Sequence, residues 1–180
     1  MTAKQTKKRA SKMEKQALQL RGQLWPDLDE SELWDRKLQK GFATIPRPMP
    51  ILYNIMDDLA PKSKPVSSTH FSLWCRVFDQ SLVTVESPGE LAFEAGFTGQ
   101  RAVNTWSGRM QSLEQLGFIS SRPGASGKFQ YILLLNPFLI VKRMHEEGHV
   151  QAAKYNALFA RCLAVGADDL TAEQNAEPTQ

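Results

Sequence analysis

Apolar side chains recur every three or four positions in several parts of the chain, and this spacing predicts amphipathic helices. Four such segments cover residues 50–59, 67–78, 137–147 and 152–165. In the second segment, the expected buried stripe consists of Phe71, Trp74, Cys75 and Phe78. The last two segments are expected to end near Gly148 and Gly166, because glycine favours the left-handed conformation that ends many helices.

A short helix and a longer one are predicted next to each other in the middle of the chain. Ser87 and Glu90 have the spacing of a capping box, and Pro88 stands at the first helical position between them. This helix is expected to end at Gly96, and the next one to cover residues 98–116. The predicted buried stripe of the longer helix is Val103, Trp106, Met110 and Leu113.

Short alternating runs around this helix pair predict strands. Residues 82–85 form one β-branched run, while residues 118–122 and 128–132 form a hairpin with a tip at 123–127. A small strand, two helices and a basic hairpin occur in this order in a winged helix-turn-helix. The predicted fold is therefore mainly α with a small β-hairpin (α+β), a winged helix-turn-helix core with additional N- and C-terminal helices.

The polar face of the longer helix is typical of a surface that reads DNA. It carries Arg101, Asn104, Thr105, Gly108 and Ser112, with Gln100, Arg109 and Gln111 at its borders. Arginine pairs with guanine edges, asparagine and glutamine with adenine, and threonine with the thymine methyl or a phosphate. No acidic residue occurs from Gly96 to Leu113, whereas an ordinary solvated face usually mixes both charges.

These residues predict double-stranded DNA as the partner, with helix 98–116 in the major groove and wing 119–131 along the backbone. The predicted DNA-binding residues are Gln100, Arg101, Asn104, Thr105, Gly108, Arg109, Arg122 and Lys128. Arg101, Asn104 and Thr105 are expected to read bases, and Arg109 to contact phosphate. Arg122 and Lys128 flank the hairpin tip, where basic residues equally well protect an edge strand from pairing.

The run Leu113-Glu114-Gln115-Leu116-Gly117-Phe118-Ile119, followed by the basic hairpin, resembles the helix-to-wing junction of bacterial winged helix-turn-helix regulators. This resemblance covers about residues 67–135. The wider run, including segments 73–76 and 95–102, is similar to uncharacterised proteins of bacterial plasmids and genomic islands. The resemblances imply a DNA-binding protein of a mobile element, acting as a transcriptional regulator or a replication and maintenance factor. They imply no established functional residues.

Composition and charge predict three parts of the chain. These are a basic arm with an acidic Trp-containing docking segment at 1–45, the winged-helix domain with flanking helices at 46–165, and an acidic flexible tail at 166–180. Residues 1–22 hold seven Lys or Arg and a single acid, within a net charge of +3. The arm can follow phosphates, although a solvated tail explains its composition equally well. Trp25 and Trp34 are expected to dock on the core.

The longest apolar run, residues 131–135, is far shorter than a membrane span, so we expect a cytoplasmic protein without a membrane partner. Cys75 and Cys162 are expected in the core, which suits a reducing compartment. The two C-terminal helices can form a homodimer surface or pack back on the two tryptophans. A winged helix that binds another protein instead of DNA is the alternative function.

His145-Glu146-Glu147-Gly148-His149 matches the zinc-metallopeptidase pattern and is a remote alternative. However, Gly148 lies inside the motif and no third ligand is apparent. We therefore expect a helix that ends at Gly148 with His145 and His149 on its solvent side. The predicted protein is not an enzyme and has no cofactor or metal.

Overall fold

The computed structural model describes residues 3–171, with side chains from residue 12 onward. In this part of the chain, seven α-helices, a short 3-10 helix at Glu30–Glu32 and one three-stranded sheet form an α+β structure. The helices are α1 (Ala3–Leu24), α2 (Met49–Leu59), α3 (Ser67–Arg76), α4 (Pro88–Glu94), α5 (Ala102–Gln115), α6 (Pro137–Glu146) and α7 (Ala152–Val165). The strands are β1 (Leu82–Thr84), β2 (Ile119–Gly124) and β3 (Gly127–Leu134). The chain divides into two compact units between Phe42 and Ala43.

Unit 1 contains α1 and the 3-10 helix, and it leaves its tryptophans open to solvent. Trp25 and Trp34 are 59% and 66% exposed, and their docking on the core stays a prediction. The helical part of the acidic segment is a single 3-10 turn, Glu30–Glu32, which is too short to form a continuous apolar face. Trp34 packs edge to face on Phe42, with ring centroids 5.9 Å apart.

Unit 2 has one hydrophobic core that is shared by α2 to α7 and the sheet. Its largest fully buried side chains include Leu52, Met56, Leu73, Trp106 and Phe118. Helix α2 packs against α3, α6 and α7, while α3 also packs against α4 and α5. The predicted core helix at 50–59 and the predicted helices at 137–147 and 152–165 are therefore confirmed. The order α3, β1, α4, α5, β2, β3 is the layout of a winged helix.

The sheet is antiparallel with the strand order β1-β3-β2. Val83 pairs with Ile132, and Ser121 on β2 pairs with the same residue from the other side. The hairpin is tighter than predicted because the strands continue through Pro123 and Gly124. A register shift between Arg122 and Gly124 accommodates Pro123, which has no N–H to donate to a strand ladder.

Helix α4 begins and ends as the sequence predicts. It starts at Pro88, although the Ser87 side chain makes no capping hydrogen bond. At its end Gly96 has φ +88°, and the N–H groups of Gly96 and Phe97 donate to the carbonyls of Phe93 and Ala92, both at 2.9 Å. This pair of bonds forms a Schellman motif, which turns the chain sharply toward α5.

The buried face of α3 differs from the predicted stripe. Thr69, His70, Ser72 and Leu73 are buried, whereas Phe71, Cys75 and Phe78 are exposed. The spacing of the aromatic residues predicts a buried face that is rotated by about one residue from the face that packs on the core. A polar residue is tolerated inside because the Tyr53 hydroxyl lies 3.3 Å from Nδ1 of His70.

The C-terminal segment stays packed beyond Gly166. Cys162 is buried as predicted, and Leu170 is also buried, so the chain contributes to the core at least as far as this residue. The remainder of the predicted acidic tail, 172–180, lies outside the described residues. Among helices of the described chain, none has the length and apolar character that crossing a membrane requires.

Candidate nucleic-acid interface

Helix α5 begins later than predicted. Residues 97–101 connect α4 to α5 and end in a turn, in which Gly99 has φ +80° and its carbonyl accepts from the Ala102 N–H at 3.1 Å. The helix starts at Ala102, with Arg101 as its N-cap residue. Gln100 and Arg101 are exposed and precede the helix instead of lying on its face. A glycine with positive φ so close to Thr98 prevents the helical conformation that the apolar spacing favoured.

At two positions of α5 the burial is the reverse of the prediction. Trp106, Met110 and Leu113 are buried as predicted, but Val103 is 41% exposed and Ser112 is buried. Ser112 tolerates burial because its hydroxyl donates to the Gly108 carbonyl at 3.1 Å. Val103 lies in the first turn of α5, at the border of the buried stripe.

Of the predicted base-contacting residues, Arg101 is the N-cap residue of α5, and Asn104 and Thr105 lie in its first turn. Arg101, Asn104 and Gly108 are exposed, and Thr105 is half-buried. We call these four residues the reading face. No side chain caps the start of α5. The first backbone N–H groups of α5 therefore have no side-chain acceptor on the N-cap residue.

Arg109 is held at the corner between α4 and α5. Its guanidinium carbon lies 5.8 Å from the centroid of the Phe97 ring, within the range of a cation–π contact. The side chain is half-buried, and its Nε has no hydrogen-bond partner among the described residues. This packing restricts the Arg109 side chain and buries its Nε.

A groove of about 470 Å³ separates α5 from the tip of the β2–β3 hairpin. We call it the helix–wing groove. It is lined by Pro88, Val103, Asn104, Trp106, Ser107, Gly108, Gln111, Ser126, Gly127, Lys128 and Phe129. A Cβ added at Gly108 would have no neighbour within 4 Å, so this position leaves the groove open. Three predicted residues, Asn104, Gly108 and Lys128, therefore meet at one site.

The hairpin, which we call the wing, carries its two predicted basic residues in different settings. Lys128 lines the groove, and its Nζ lies 4.9 Å from the Phe129 ring centroid. Arg122 is exposed on β2, and its Nη1 donates to the Ser121 carbonyl at 2.9 Å. Arg122 does not line the groove. The structure thus brings Lys128 to the reading face and leaves Arg122 on the edge strand.

Two acidic side chains of α4, Glu90 and Glu94, form ion pairs with Arg76 of α3. Arg76 of α3 donates two hydrogen bonds to Glu94 of α4, from Nε at 2.8 Å and from Nη2 at 2.5 Å. Its Nη2 is also 3.5 Å from Glu90. The hydrogen bonds from Arg76 lower the pKa of Glu94, and those bonds also raise the pKa of Arg76. Arg76 and Glu94 therefore form a charged pair, and Arg76 offsets part of the negative charge of α4.

Glu114 links the end of α5 to the wing. Its carboxylate accepts from the Ser121 N–H at 3.1 Å and from the Ser121 hydroxyl. Its other oxygen lies 3.9 Å from Lys128 Nζ. These contacts fix the orientation of β2 and β3 relative to α5. They therefore set the positions of α5 and the wing, which form the two walls of the groove.

The zinc-like motif does not have metallopeptidase geometry. Helix α6 ends at Glu146, and a Schellman motif follows, in which Gly148 and His149 donate to the carbonyls of His145 and Met144, both at 2.9 Å. The predicted helix end at Gly148 is confirmed, and His149 lies beyond the helix. His145 stacks on Tyr155, with ring centroids 3.8 Å apart, so its predicted solvent position is wrong. Within residues 3–171, no group of three or more His, Cys, Asp or Glu is placed to hold a metal ion.

Sequence reasoning missed Val103, Ser107 and Ser126 as residues of the interface. Val103 follows the Gly99 turn, and a helix that begins at 102 places it in an exposed first turn. Ser126 becomes part of the groove because the hairpin tip is tight, with Gln130 Oε1 accepting from the Ser126 N–H at 3.1 Å. No protein-family model, curated protein or solved structure matches this chain. Functional assignment therefore depends on the geometry of its own residues.

Proposed function

We propose that this chain binds double-stranded DNA in a sequence-specific manner, with α5 in the major groove and the wing along the sugar-phosphate backbone. The observation that carries the proposal is one continuous surface, formed by the reading face and the helix–wing groove. Its polar groups are amides, hydroxyls and bases, and no acid occurs from Gly96 to Leu113. Such a surface suits base edges and phosphates better than it suits a protein partner.

Each residue of the surface has a role that its position supports. Arg101 and Asn104 lie at the start of α5, where helix-turn-helix proteins contact base edges, and they suit guanine and adenine respectively. Gln100 and Thr105 border them and contact either a base or a phosphate. Gly108 allows close approach of the backbone, while Lys128 contacts a phosphate from the groove and Arg109 contacts a phosphate from the corner between α4 and α5. Arg122 extends this contact along the wing.

The proposed cellular role is a transcriptional regulator or a replication and maintenance factor of a bacterial mobile element. It is supported by the resemblance of the helix-to-wing junction, residues 113–119, to bacterial winged helix-turn-helix regulators. The position of the selected DNA site distinguishes the two roles. A site that overlaps a promoter supports regulation, and a site within a replication origin supports maintenance.

A binding selection from a random duplex pool, with the purified full-length chain, tests the proposal. Enrichment of one sequence is expected, and Arg101→Ala should weaken binding to that duplex by about 1–3 kcal/mol if the arginine reads a guanine. The matched control is Arg161→Ala, which removes the same charge from an exposed position on α7. A pool without enrichment, or equal effects of the two substitutions, would contradict the proposal.

A second candidate function is a protein-interaction module without DNA binding. The observation that favours it is the outer face of the sheet, where Leu82 and Leu133 are neighbours in register and both are exposed together with Tyr131. An exposed apolar sheet face is a common interaction surface. This function predicts no duplex binding even at low salt, and Leu133→Ser would then weaken capture of the partner protein.

A further inference from the structure

We propose that Val103 is a specificity residue, whose isopropyl group contacts the 5-methyl group of a thymine beside the base that Asn104 reads. This inference rests on the proposed DNA-binding function. It assigns an A·T pair to one position of the recognised site. Val103 thereby adds an apolar contact to the hydrogen bonds of the reading face.

The position of Val103 is the first observation. It is 41% exposed in the first turn of α5, directly beside the exposed Asn104. Both residues line the helix–wing groove. A β-branched side chain on a helix has one strongly preferred χ1 rotamer, so Val103 presents its methyl groups with little conformational freedom to lose on contact.

The second observation is that both apolar and hydrogen-bonding side chains line the groove. Val103, Pro88 and Phe129 supply apolar surface, whereas Asn104, Gln111 and Lys128 supply hydrogen-bonding groups. In the major groove an A·T pair presents the thymine methyl beside the N6 donor and N7 acceptor of adenine. A G·C pair presents no methyl group. The pairing of valine with asparagine therefore matches A·T and leaves G·C without an apolar contact.

Deoxyuridine tests the contact directly, because it pairs like thymidine but lacks the 5-methyl group. Each thymidine of the selected duplex is replaced in turn, and the dissociation constant is measured by fluorescence anisotropy. At one position we expect binding to weaken roughly threefold to tenfold, the size of one buried methyl contact. Val103→Ala should abolish this sensitivity, while Val103→Thr, which keeps a branched shape and one methyl group, should retain part of it.

Leu38→Ala is the matched control, since Leu38 is an exposed apolar residue of unit 1. This variant should keep both the affinity and the sensitivity to deoxyuridine. Wild-type protein that binds every deoxyuridine duplex equally well would overturn the inference, and so would an unchanged deoxyuridine effect in Val103→Ala. In either case a loss of binding in Arg101→Ala would leave the DNA-binding function standing. A chain that binds no duplex would overturn both.

Discussion

His70 is enclosed by aromatic rings in the core of unit 2. The ring centroids of Tyr53, Trp74 and Phe118 lie 5.7, 5.9 and 6.3 Å from that of His70. Burial lowers the pKa of His70 to about 4, and burial also raises the pKa of Tyr53. The imidazole is therefore neutral at physiological pH, and the protonated Tyr53 hydroxyl can donate to Nδ1. Nε2 has no hydrogen-bond partner among the described residues.

His70 makes the stability of unit 2 sensitive to mild acid. The unfolded state binds a proton on His70 near pH 6.5, whereas the folded state resists protonation until about pH 4. The free energy of unfolding should be highest above pH 6.5. It should fall as the pH decreases toward 4, by at most about 3 kcal/mol. Urea unfolding at pH 7.5, 6 and 5 measures this loss. The free energy of unfolding should change less with pH in His70→Gln than in wild type. An equal pH dependence in both proteins would show that His70 is not the group responsible.

Two neighbouring aspartates on α2 have different structural roles. Asp57 accepts hydrogen bonds from the Val66 N–H at 2.7 Å, the Ser67 N–H at 2.8 Å and the Ser67 hydroxyl at 2.6 Å. Asp57 therefore caps the start of α3 from another element. Asp58 forms an exposed ion pair with Lys154 of α7.

Replacing Asp57 should destabilise the protein more than replacing its neighbour. Asp57→Ala should lower the free energy of unfolding by about 1–2 kcal/mol, because three donors at the start of α3 lose their acceptor. Asp58→Ala is the matched control and should cost less than about 1 kcal/mol. Chemical denaturation of both variants at pH 7.5 compares them. A larger loss in Asp58→Ala would show that Asp57 does not hold α3.

Arg76 connects α3 to α4 beside the reading face, and its loss should weaken DNA binding indirectly. Without Arg76, the charges of Glu90 and Glu94 are no longer offset, and they repel phosphates that approach α5. Arg76→Ala should lower the association rate, and the difference from wild type should shrink as salt screens the charges. Stopped-flow anisotropy measures these rates. Further substitution by Glu90→Gln and Glu94→Gln should restore the rate, and a failure to do so would assign Arg76 a structural role instead.

The elements that follow from local rules were predictable from the sequence. Pro88 starts α4 and Gly96 ends it, because these residues act through their own backbone conformations. The inward face of α3 and the start of α5 were not predictable in this way. They depend on Tyr53, which satisfies His70 from another helix, and on the positive φ of Gly99, which the apolar spacing does not show.

The candidate site was only partly predictable, because its residue types follow from the sequence but their relative positions depend on tertiary contacts. The residue types on α5 and the lack of acids are properties of the sequence, and they marked Arg101, Asn104 and Thr105. The groove requires the relative positions of α5 and the wing, which tertiary contacts such as Glu114 to Ser121 determine. Val103 was expected in the core because it continues the spacing of Trp106 and Met110. It is exposed because the helix begins at 102.

At the scale of the whole molecule, the two C-terminal helices already bury part of their apolar surface in the core of unit 2. Leu158 and Cys162 of α7 are buried, whereas Leu163 remains exposed. A homodimer through these helices stays a prediction, and it requires the Leu163 side of α7. Sedimentation velocity should then show a dimer that Leu163→Glu converts to a monomer. A wild-type monomer at all concentrations would contradict it.

The uneven charge of the chain bears on how strongly it binds any duplex. Residues 1–22 carry seven basic residues, and DNA contacts by lysine and arginine make affinity fall with salt. Such contacts do not distinguish sequences, whereas the proposed contacts of Arg101 and Asn104 with bases would. The ratio of specific to non-specific affinity therefore isolates the contribution of the reading face from the contribution of net charge.

The most direct test of DNA reading by α5 is this ratio in the double variant Arg101→Ala/Asn104→Ala. Anisotropy titrations at one fixed salt concentration, with the selected duplex and a scrambled duplex of the same composition, give both affinities. Wild type and Arg161→Ala should prefer the selected duplex by roughly a thousandfold or more. The double variant should lose most of this preference and keep most of its affinity for the scrambled duplex. An unchanged preference in the double variant would contradict the assignment of α5 as the reading helix.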